Sequence, residues 1–206
     1  MNKHLNGHSL AGMSILRIRV QDDFYATPEE STKALLAVEG IIYPVLEPAC
    51  GAGHISKLIG KDEGSGDYVI SSDLIDRGYG CKDVDFLADD FTKRMINLGI
   101  NIHAIKTIIT NPPFSLFQEF AEKSLSFQNV QKIIMFGKLQ ALEGQKRATF
   151  MENSPLKTVY VFKARQNPLR NGSPVDEKGK PWASTMAFAW FVWEKGYTGE
   201  TIIKWI

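Results

Sequence analysis

An apolar run from Ile105 to Thr110 stops abruptly at Asn111-Pro112-Pro113-Phe114. A run of this length without polar alternation, ended by turn residues, predicts a strand covered on both faces, as in a parallel sheet. Apolar runs with the same character recur along the chain, at Val45 to Glu47, Tyr68 to Ser72, Gln131 to Phe136 and Thr158 to Phe162, with a weaker one at Asp83 to Phe86. Helix-like stretches separate them: Ser31 to Glu39, His54 to Ile59, Asp90 to Leu98, Ser115 to Phe127 and Glu143 to Met151. Thr27-Pro28-Glu29-Glu30 opens the first of these as N-cap, first-turn proline and acid, and Gly40 ends it. Alternating strands and helices specify an α/β fold with a doubly wound, mostly parallel sheet. Thr185 to Trp193 and Thr201 to Ile206, joined by a glycine-bearing turn, add an antiparallel C-terminal hairpin.

The 206 residues suffice for one α/β domain, placed at 22–206, behind an N-terminal arm at 1–21 that shows no clean period. A net charge of +1 gives no overall pull toward nucleic acid, so any basic surface must be local. Neither a membrane-length apolar stretch nor a basic, then apolar, leader is present, which points to the cytoplasm. Cys50 and Cys81 form no paired metal spacing and no disulfide framework, so neither a metal nor a cross-link is expected.

Ligands of open α/β sheets bind beyond the carboxyl ends of the strands, which puts residues 111–114 at a site rim. Two successive prolines lack amide donors and have fixed φ, so the Asn111 and Pro112 carbonyls are rigidly aimed. With Phe114 alongside, they suit a planar group that carries an exocyclic NH2, such as adenine or a primary amide. A plain helix-start turn fits the same residues. Gly51-Ala52-Gly53, between a strand and a helix, lets backbone run close to a ligand. The dinucleotide fingerprint needs a third glycine where Ser56 stands, and Glu47 would repel a pyrophosphate, so a nicotinamide cofactor is disfavoured. A carboxylate there suits a cation such as S-adenosylmethionine, which has an ammonium, a sulfonium and no phosphate. Asp73, twenty residues beyond Gly53, is placed to accept from ribose hydroxyls. Capping of neighbouring helices is the plainer role for Glu47 and Asp73. Asp85-Phe86 offers an acceptor and an apolar wall, within an acidic run that also reads as a solvated face.

Asp22-Asp23-Phe24-Tyr25-Ala26-Thr27-Pro28, Glu47-Pro48-Ala49-Cys50-Gly51-Ala52-Gly53 and Asn111-Pro112-Pro113-Phe114, in that order, resemble the motifs of amino-methyltransferases that act on adenine in DNA, in their gamma arrangement. The resemblance covers about residues 22–137, with an echo in Ala189 to Gly199 around Trp190-Phe191-Val192-Trp193. It implies a Rossmann-like class I methyltransferase domain with a seven-stranded sheet and S-adenosylmethionine as cofactor. Phe24, Tyr25 and Thr27 would pack around the methionine end, and Glu47, Pro48, Ala49, Gly51 and Gly53 would line the amino-acid part. Asp73 with Leu74 would hold the ribose, Asp85 and Phe86 the adenine. Asn111 would border the cofactor and, with Pro112, Pro113 and Phe114, form the catalytic motif around the target base. Related methyltransferases that act on RNA adenine or guanine or on protein glutamine share the Asn-Pro-Pro-aromatic element, and a non-catalytic module that binds cofactor and nucleic acid is the reading from another class. No separate target-recognition domain fits in the chain.

Residues 164–183 read as one long loop without secondary structure, and such loops are usually functional or disordered. Arg165, Arg170, Lys178, Lys180 and Trp182 against Asp176 and Glu177 fit contact with a phosphate backbone, or a solvated flap. Lys138 and the stretch Gln140 to Arg147 are further candidates. The expected partner is DNA, with RNA as the alternative, for a monomer or homodimer.

Overall fold

The computed structural model describes residues 24–60, 68–180, 182 and 185–206. The expected arm at 1–21, Asp22-Asp23 of the first motif and the expected loop at 61–67 lie outside the described residues. After the two-residue strand β1 (Tyr25–Ala26), α1 (Glu29–Leu36) leads into β2 (Val45–Glu47), α2 (Ser56–Ile59) and β3 (Val69–Ser71). Then come α3 (Phe91–Asn97), β4 (Thr107–Thr110), α4 (Phe117–Ser126), β5 (Lys132–Lys138), α5 (Gln145–Asn153) and β6 (Leu156–Val161). The short β7 (Leu169–Arg170) precedes β8 (Phe188–Glu194) and β9 (Ile202–Trp205).

Seven strands form one sheet in the order β3-β2-β4-β5-β8-β6-β9. The β3-β2-β4-β5 half is parallel throughout. Side chains alternate across the strands. Ile108, Ile133, Met135, Phe191 and Trp193 meet α3, α4 and α5 on one face, while Ile109, Ile134, Phe136, Trp190 and Val192 meet α1 and α2 on the other. Both faces are therefore covered, as the unbroken apolar runs require.

Four expectations need correction. The antiparallel C-terminal pairing is made by β8 with β5 and β6, and β9 returns to β6 in parallel, so β8 and β9 are not neighbours. Burial explains this: six of the seven residues of β8 are buried, leaving no solvent face and demanding a central position, whereas all four of β9 are exposed. Residues 83–86 form no strand; only an isolated bridge, Ser72 to Cys81, continues that edge. Asp83 adopts φ +56°, and the Asp85 carboxylate takes the Leu87 amide at 2.9 Å, so beyond the bond from the Val84 amide to the Asp73 carbonyl the segment turns away from a ladder. The 164–183 segment is not structureless, because β7 pairs antiparallel with β1 and turns follow at Arg170 to Ser173 and Asp176 to Gly179. Thr27 does not cap α1; Pro28 holds the N-cap position, with no side-chain bond to the helix start.

Trp190 joins the sheet to α1: it is fully buried, and its indole Nε1 donates to the Ser31 carbonyl at 2.9 Å. Trp190→Ala should cost about 3–5 kcal/mol in urea denaturation, and Trp190→Phe distinctly less.

Candidate functional site

A cavity of about 490 Å³ opens at the carboxyl ends of β2, β3 and β4. That is an ordinary size for a small-ligand site. Its walls are Phe24 to Thr27, Glu47 to Gly51 with His54 and Ile55, Asp73 to Ile75 with Arg77, Val84 to Leu87, and Asn111, Pro113, Ser115, Leu116 and Phe120. Five chain segments thus converge where the parallel strands end.

Glu47, the last residue of β2, is 2% exposed. Ser56 donates to Glu47 Oε2 from its amide at 2.8 Å and also from its hydroxyl, which is 2.6 Å from Ser71 Oγ. Loss of solvation dominates over these donors and raises the carboxyl to about 8, with the nearby charge of Asp73 adding to the effect. Ser56 therefore has a definite task at the position where a dinucleotide fold would need glycine. Asp73 accepts from the Gly51 amide through Oδ2 at 2.7 Å and from the Ile75 amide through Oδ1 at 2.9 Å. Those bonds fix the carboxylate and leave each oxygen a further lone pair. Thr27 is 2% exposed and its Oγ1 has no hydrogen-bond partner among the described residues. A buried hydroxyl left so in a cavity wall is what a bound polar ligand would satisfy. Burial raises the Cys50 thiol to about 12, so it stays protonated.

Asn111 Nδ2 donates to the Tyr25 carbonyl at 2.6 Å. Since only the NH2 end can donate to a carbonyl, the bond fixes the amide orientation and reserves Oδ1 as an acceptor. Phe114 lies outside the cavity. Its ring stacks on Tyr25 at 5.7 Å between centroids, meets Phe188 at 5.6 Å, and carries Lys138 Nζ at 4.6 Å from its centroid. Pro112 is buried and also absent from the wall, whereas Pro113 lines it.

Of the expected cofactor residues, Phe24, Tyr25, Thr27, Glu47, Pro48, Ala49, Gly51, Asp73, Leu74, Asp85, Phe86 and Asn111 line the cavity; Gly53 does not. Each of the two glycines makes room for an aromatic ring. A Cβ at Gly51 (φ +55°) would meet Phe24 Cε2 at 2.5 Å, and one at Gly53 (φ +80°) would meet the Tyr79 ring at 2.6 Å. Of the expected nucleic-acid residues none lines the cavity, but two stand beside it. Lys138 covers Phe114, and Arg170 pairs with Tyr25 in the β1–β7 ladder while its guanidinium stacks on Trp182 at 4.4 Å. Arg165 instead donates to the Thr185 carbonyl, and Lys178 and Lys180 sit exposed on a turn organised by Asp176. Sequence reading missed His54, Ser56 and Arg77. The only signal for Arg77 is its position four residues beyond Asp73. Among the described residues no cluster of three His, Cys, Asp or Glu could hold a metal ion, and no helix is long and apolar enough to cross a membrane.

No protein-family model and no curated protein matches the chain. Solved structures do share its fold. One is a Vibrio vulnificus YJ016 protein described as a modification subunit of a type I restriction enzyme (TM-score 0.50, 11% identity, 86% of this chain and 45% of that one). Another is DrdV in complex with DNA (0.58, 12%, 91% and 28%). A third is the type ISP restriction-modification enzyme LlaGI, as a nuclease-deletion mutant in complex with a DNA substrate mimic (0.51, 12%, 89% and 28%). The chain spans less than half the length of each, and the likeness at these identities is one of fold.

The raised Glu47 pKa links pH to stability. An unfolded carboxyl ionises near 4.5 and the folded one near 8, so its contribution to folding is intact below 4.5, declines as pH rises to 8 and then levels off. Glu47→Gln removes that decline. Between pH 5 and pH 8.5, urea denaturation should show stability shifting in favour of the variant by roughly 2–5 kcal/mol relative to wild type; parallel pH profiles would mean that Glu47 titrates normally.

Proposed function

We propose that the protein is an S-adenosylmethionine-dependent methyltransferase acting on the exocyclic amine of adenine, in DNA. The observation that carries this reading is the bond from Asn111 Nδ2 to the Tyr25 carbonyl, which reserves the amide oxygen as an acceptor at the cavity wall. The donor set fits the cofactor. Glu47 would take its ammonium, the spare lone pairs of Asp73 the ribose hydroxyls, and Asp85 the adenine amine between Leu74 and Phe86. Thr27 Oγ1 would gain the partner it lacks at the methionine end. When bound, the cofactor supplies a methyl group activated by its sulfonium.

An adenine amine is a weak nucleophile because its lone pair is delocalised into the ring. Asn111 Oδ1 and the Pro112 carbonyl, accepting its two protons, would favour a tetrahedral nitrogen and stabilise the positive charge that grows on it. No strong base is required, and holding amine and methyl in line provides the remaining acceleration. Phe114 would supply the stacking surface for the base, at about 1–3 kcal/mol. Lys138 then moves off the ring toward a flanking phosphate. A base within a duplex must first be flipped out, at a cost of a few kcal/mol. Two of the fold neighbours were solved with DNA or a DNA mimic, which supports DNA as the acceptor.

Incubation with radiolabelled cofactor, followed by nucleoside mass spectrometry, should yield N6-methyladenine in DNA. Asn111→Ala should abolish it while leaving S-adenosylhomocysteine affinity within about threefold. Label in RNA or on protein glutamine would replace the acceptor, and substantial turnover by Asn111→Ala would remove the mechanism. Arg170→Ala should weaken DNA binding across sequences and reduce the logarithmic salt slope by about one, the mark of a lost phosphate contact; an unchanged slope would leave residues 164–182 as a cover for β1.

A further inference from the structure

Glu47 stands in the cavity wall, and among the described residues its only hydrogen-bond partner is Ser56, whose amide and hydroxyl both reach Oε2. No cation pairs with it. Asp73, at the end of β3, is a second acid, engaged by the Gly51 and Ile75 amides, and the Cys50 thiol is pushed up to about 12 and stays protonated. On the α2 side, Lys57 donates to the Ala52 carbonyl at 2.8 Å and lies over the Tyr79 ring, while burial holds the His54 imidazole below its usual pKa. β4 and β1 bring Asn111 and Thr27 to the same wall, neither of them titratable, and Arg77 stacks on Phe24. An ionised carboxylate sealed among such neighbours lacks a counter-charge, which favours the neutral acid until a cation arrives.

The hydroxyls beside Glu47 suit both charge states. Ser56 Oγ touches Glu47 Oε2 on one side and Ser71 Oγ, at 2.6 Å, on the other. A serine hydroxyl has one proton to give and two lone pairs to accept with. When the carboxyl is ionised, Ser71 donates to Ser56 and Ser56 to Glu47. When it is protonated, Glu47 donates to Ser56 and Ser56 to Ser71. Two hydroxyl rotations convert one state to the other, and neither leaves Ser56 or Oε2 unpaired. Glu39 differs in this respect, because its partner Lys132 is an ammonium that can only donate.

We infer that Glu47, Ser56 and Ser71 form a reversible hydrogen-bond chain that couples binding of the ligand's ammonium to release of the Glu47 proton; this rests on the cofactor reading above. The ammonium keeps its own protons, Glu47 gives up one to the buffer, and an ion pair replaces a neutral acid. Calorimetry of S-adenosylhomocysteine at pH 7, repeated in buffers of different ionisation enthalpy, counts that proton. With the folded carboxyl at about 8, wild type should release about 0.9 proton per ligand bound, and affinity should rise roughly tenfold from pH 6 to pH 7 and level off above 8. Methylthioadenosine, which lacks the ammonium, should release none. Glu47→Gln should bind S-adenosylhomocysteine more weakly, with no release and equal affinity at pH 6 and 7. Should that variant bind too weakly to measure, Ser56→Ala decides. The ionised state loses the stronger bond there, so the plateau of affinity should move above pH 8. An unmoved plateau would overturn the chain, as would release that persists in Glu47→Gln or accompanies methylthioadenosine. Tight wild-type binding without proton release would overturn it while the cofactor reading stands. No binding of S-adenosylhomocysteine at any pH would take both down together.

Discussion

The 2.6 Å bond between Asn111 Nδ2 and the Tyr25 carbonyl joins two parts of the chain far apart in sequence. Asn111 leaves the end of β4, deep in the parallel half of the sheet; Tyr25 belongs to a strand of two residues. A pair that short has little ladder of its own, and each added bond contributes only about 0.5–1.5 kcal/mol net. β1 is held by an accumulation of such contacts. Arg170 pairs with Tyr25 on one edge, the Asn171 amide donates to the Phe24 carbonyl at 3.1 Å, Ser31 Oγ donates to Gln166, and the Phe114 ring stacks on Tyr25. Cavity wall, acceptor motif and basic loop therefore meet on four residues, Phe24 to Thr27. Displacing that segment would turn the Asn111 amide loose and open the wall in one event.

The acids impose the opposite tendency. A carboxyl at 2% exposure with Asp73 nearby, and no ion pair among the described residues, is an unfavourable element, and its pKa near 8 expresses that cost. Strain of this kind, concentrated in a cavity at strand ends, is common where a site is built for binding rather than for stability. Ser56 softens it with two donors but supplies no charge. A cationic ligand would, by drawing the carboxyl toward its ionised form. The same reasoning separates Glu47 from the Lys132–Glu39 pair at the opposite end of β5, where the cation is already present at 2.5 Å and Tyr160 completes the carboxylate's partners. That pair is finished as it stands. Glu47 is not.

Much of this was legible in the sequence, for a local reason. β4, β5, α4 and the turn after β2 are each specified by residues within a dozen positions of one another, through apolar runs, periodicity and glycine. What failed depended on distant partners. Val84 and Phe86 are buried and Asp83 and Asp85 exposed, the alternation of a strand, yet Asp83 takes a left-handed φ and the Asp85 carboxylate accepts from the Leu87 amide, so pairing does not extend beyond the Val84 amide on the Asp73 carbonyl. β7 has no periodicity to read, since two residues paired to β1 across more than a hundred positions leave no trace. Thr27 has the composition of a cap but stands in the cavity wall, because the same short hydroxyl suits either place. Gly51 and Gly53 were recognisable as conformationally special, but the rings that need their missing Cβ atoms, Phe24 and Tyr79, come from other segments. Arg77 is invisible for the same reason: the Phe24 ring it stacks on comes from another segment.

The reversed strand completes the surface beside the cavity. Had β8 run parallel to β5, its carboxyl end would lie at the cleft edge, and that end is Trp193-Glu194, a bulky indole and a carboxylate. Antiparallel pairing sets Lys138, the last residue of β5, opposite Phe188, the first of β8. Phe188 there stacks on Phe136 at 5.2 Å and 6° and reaches Phe114, so rings continue from Tyr25 through Phe114 to Phe188 with the Lys138 ammonium above them. This run of rings topped by a cation, next to a fixed amide oxygen, is the surface on which the proposed base and its phosphate would lie. The direction of one buried strand thus determines whether the rim beside Asn111 attracts or repels a polyanion, although the chain as a whole is nearly neutral.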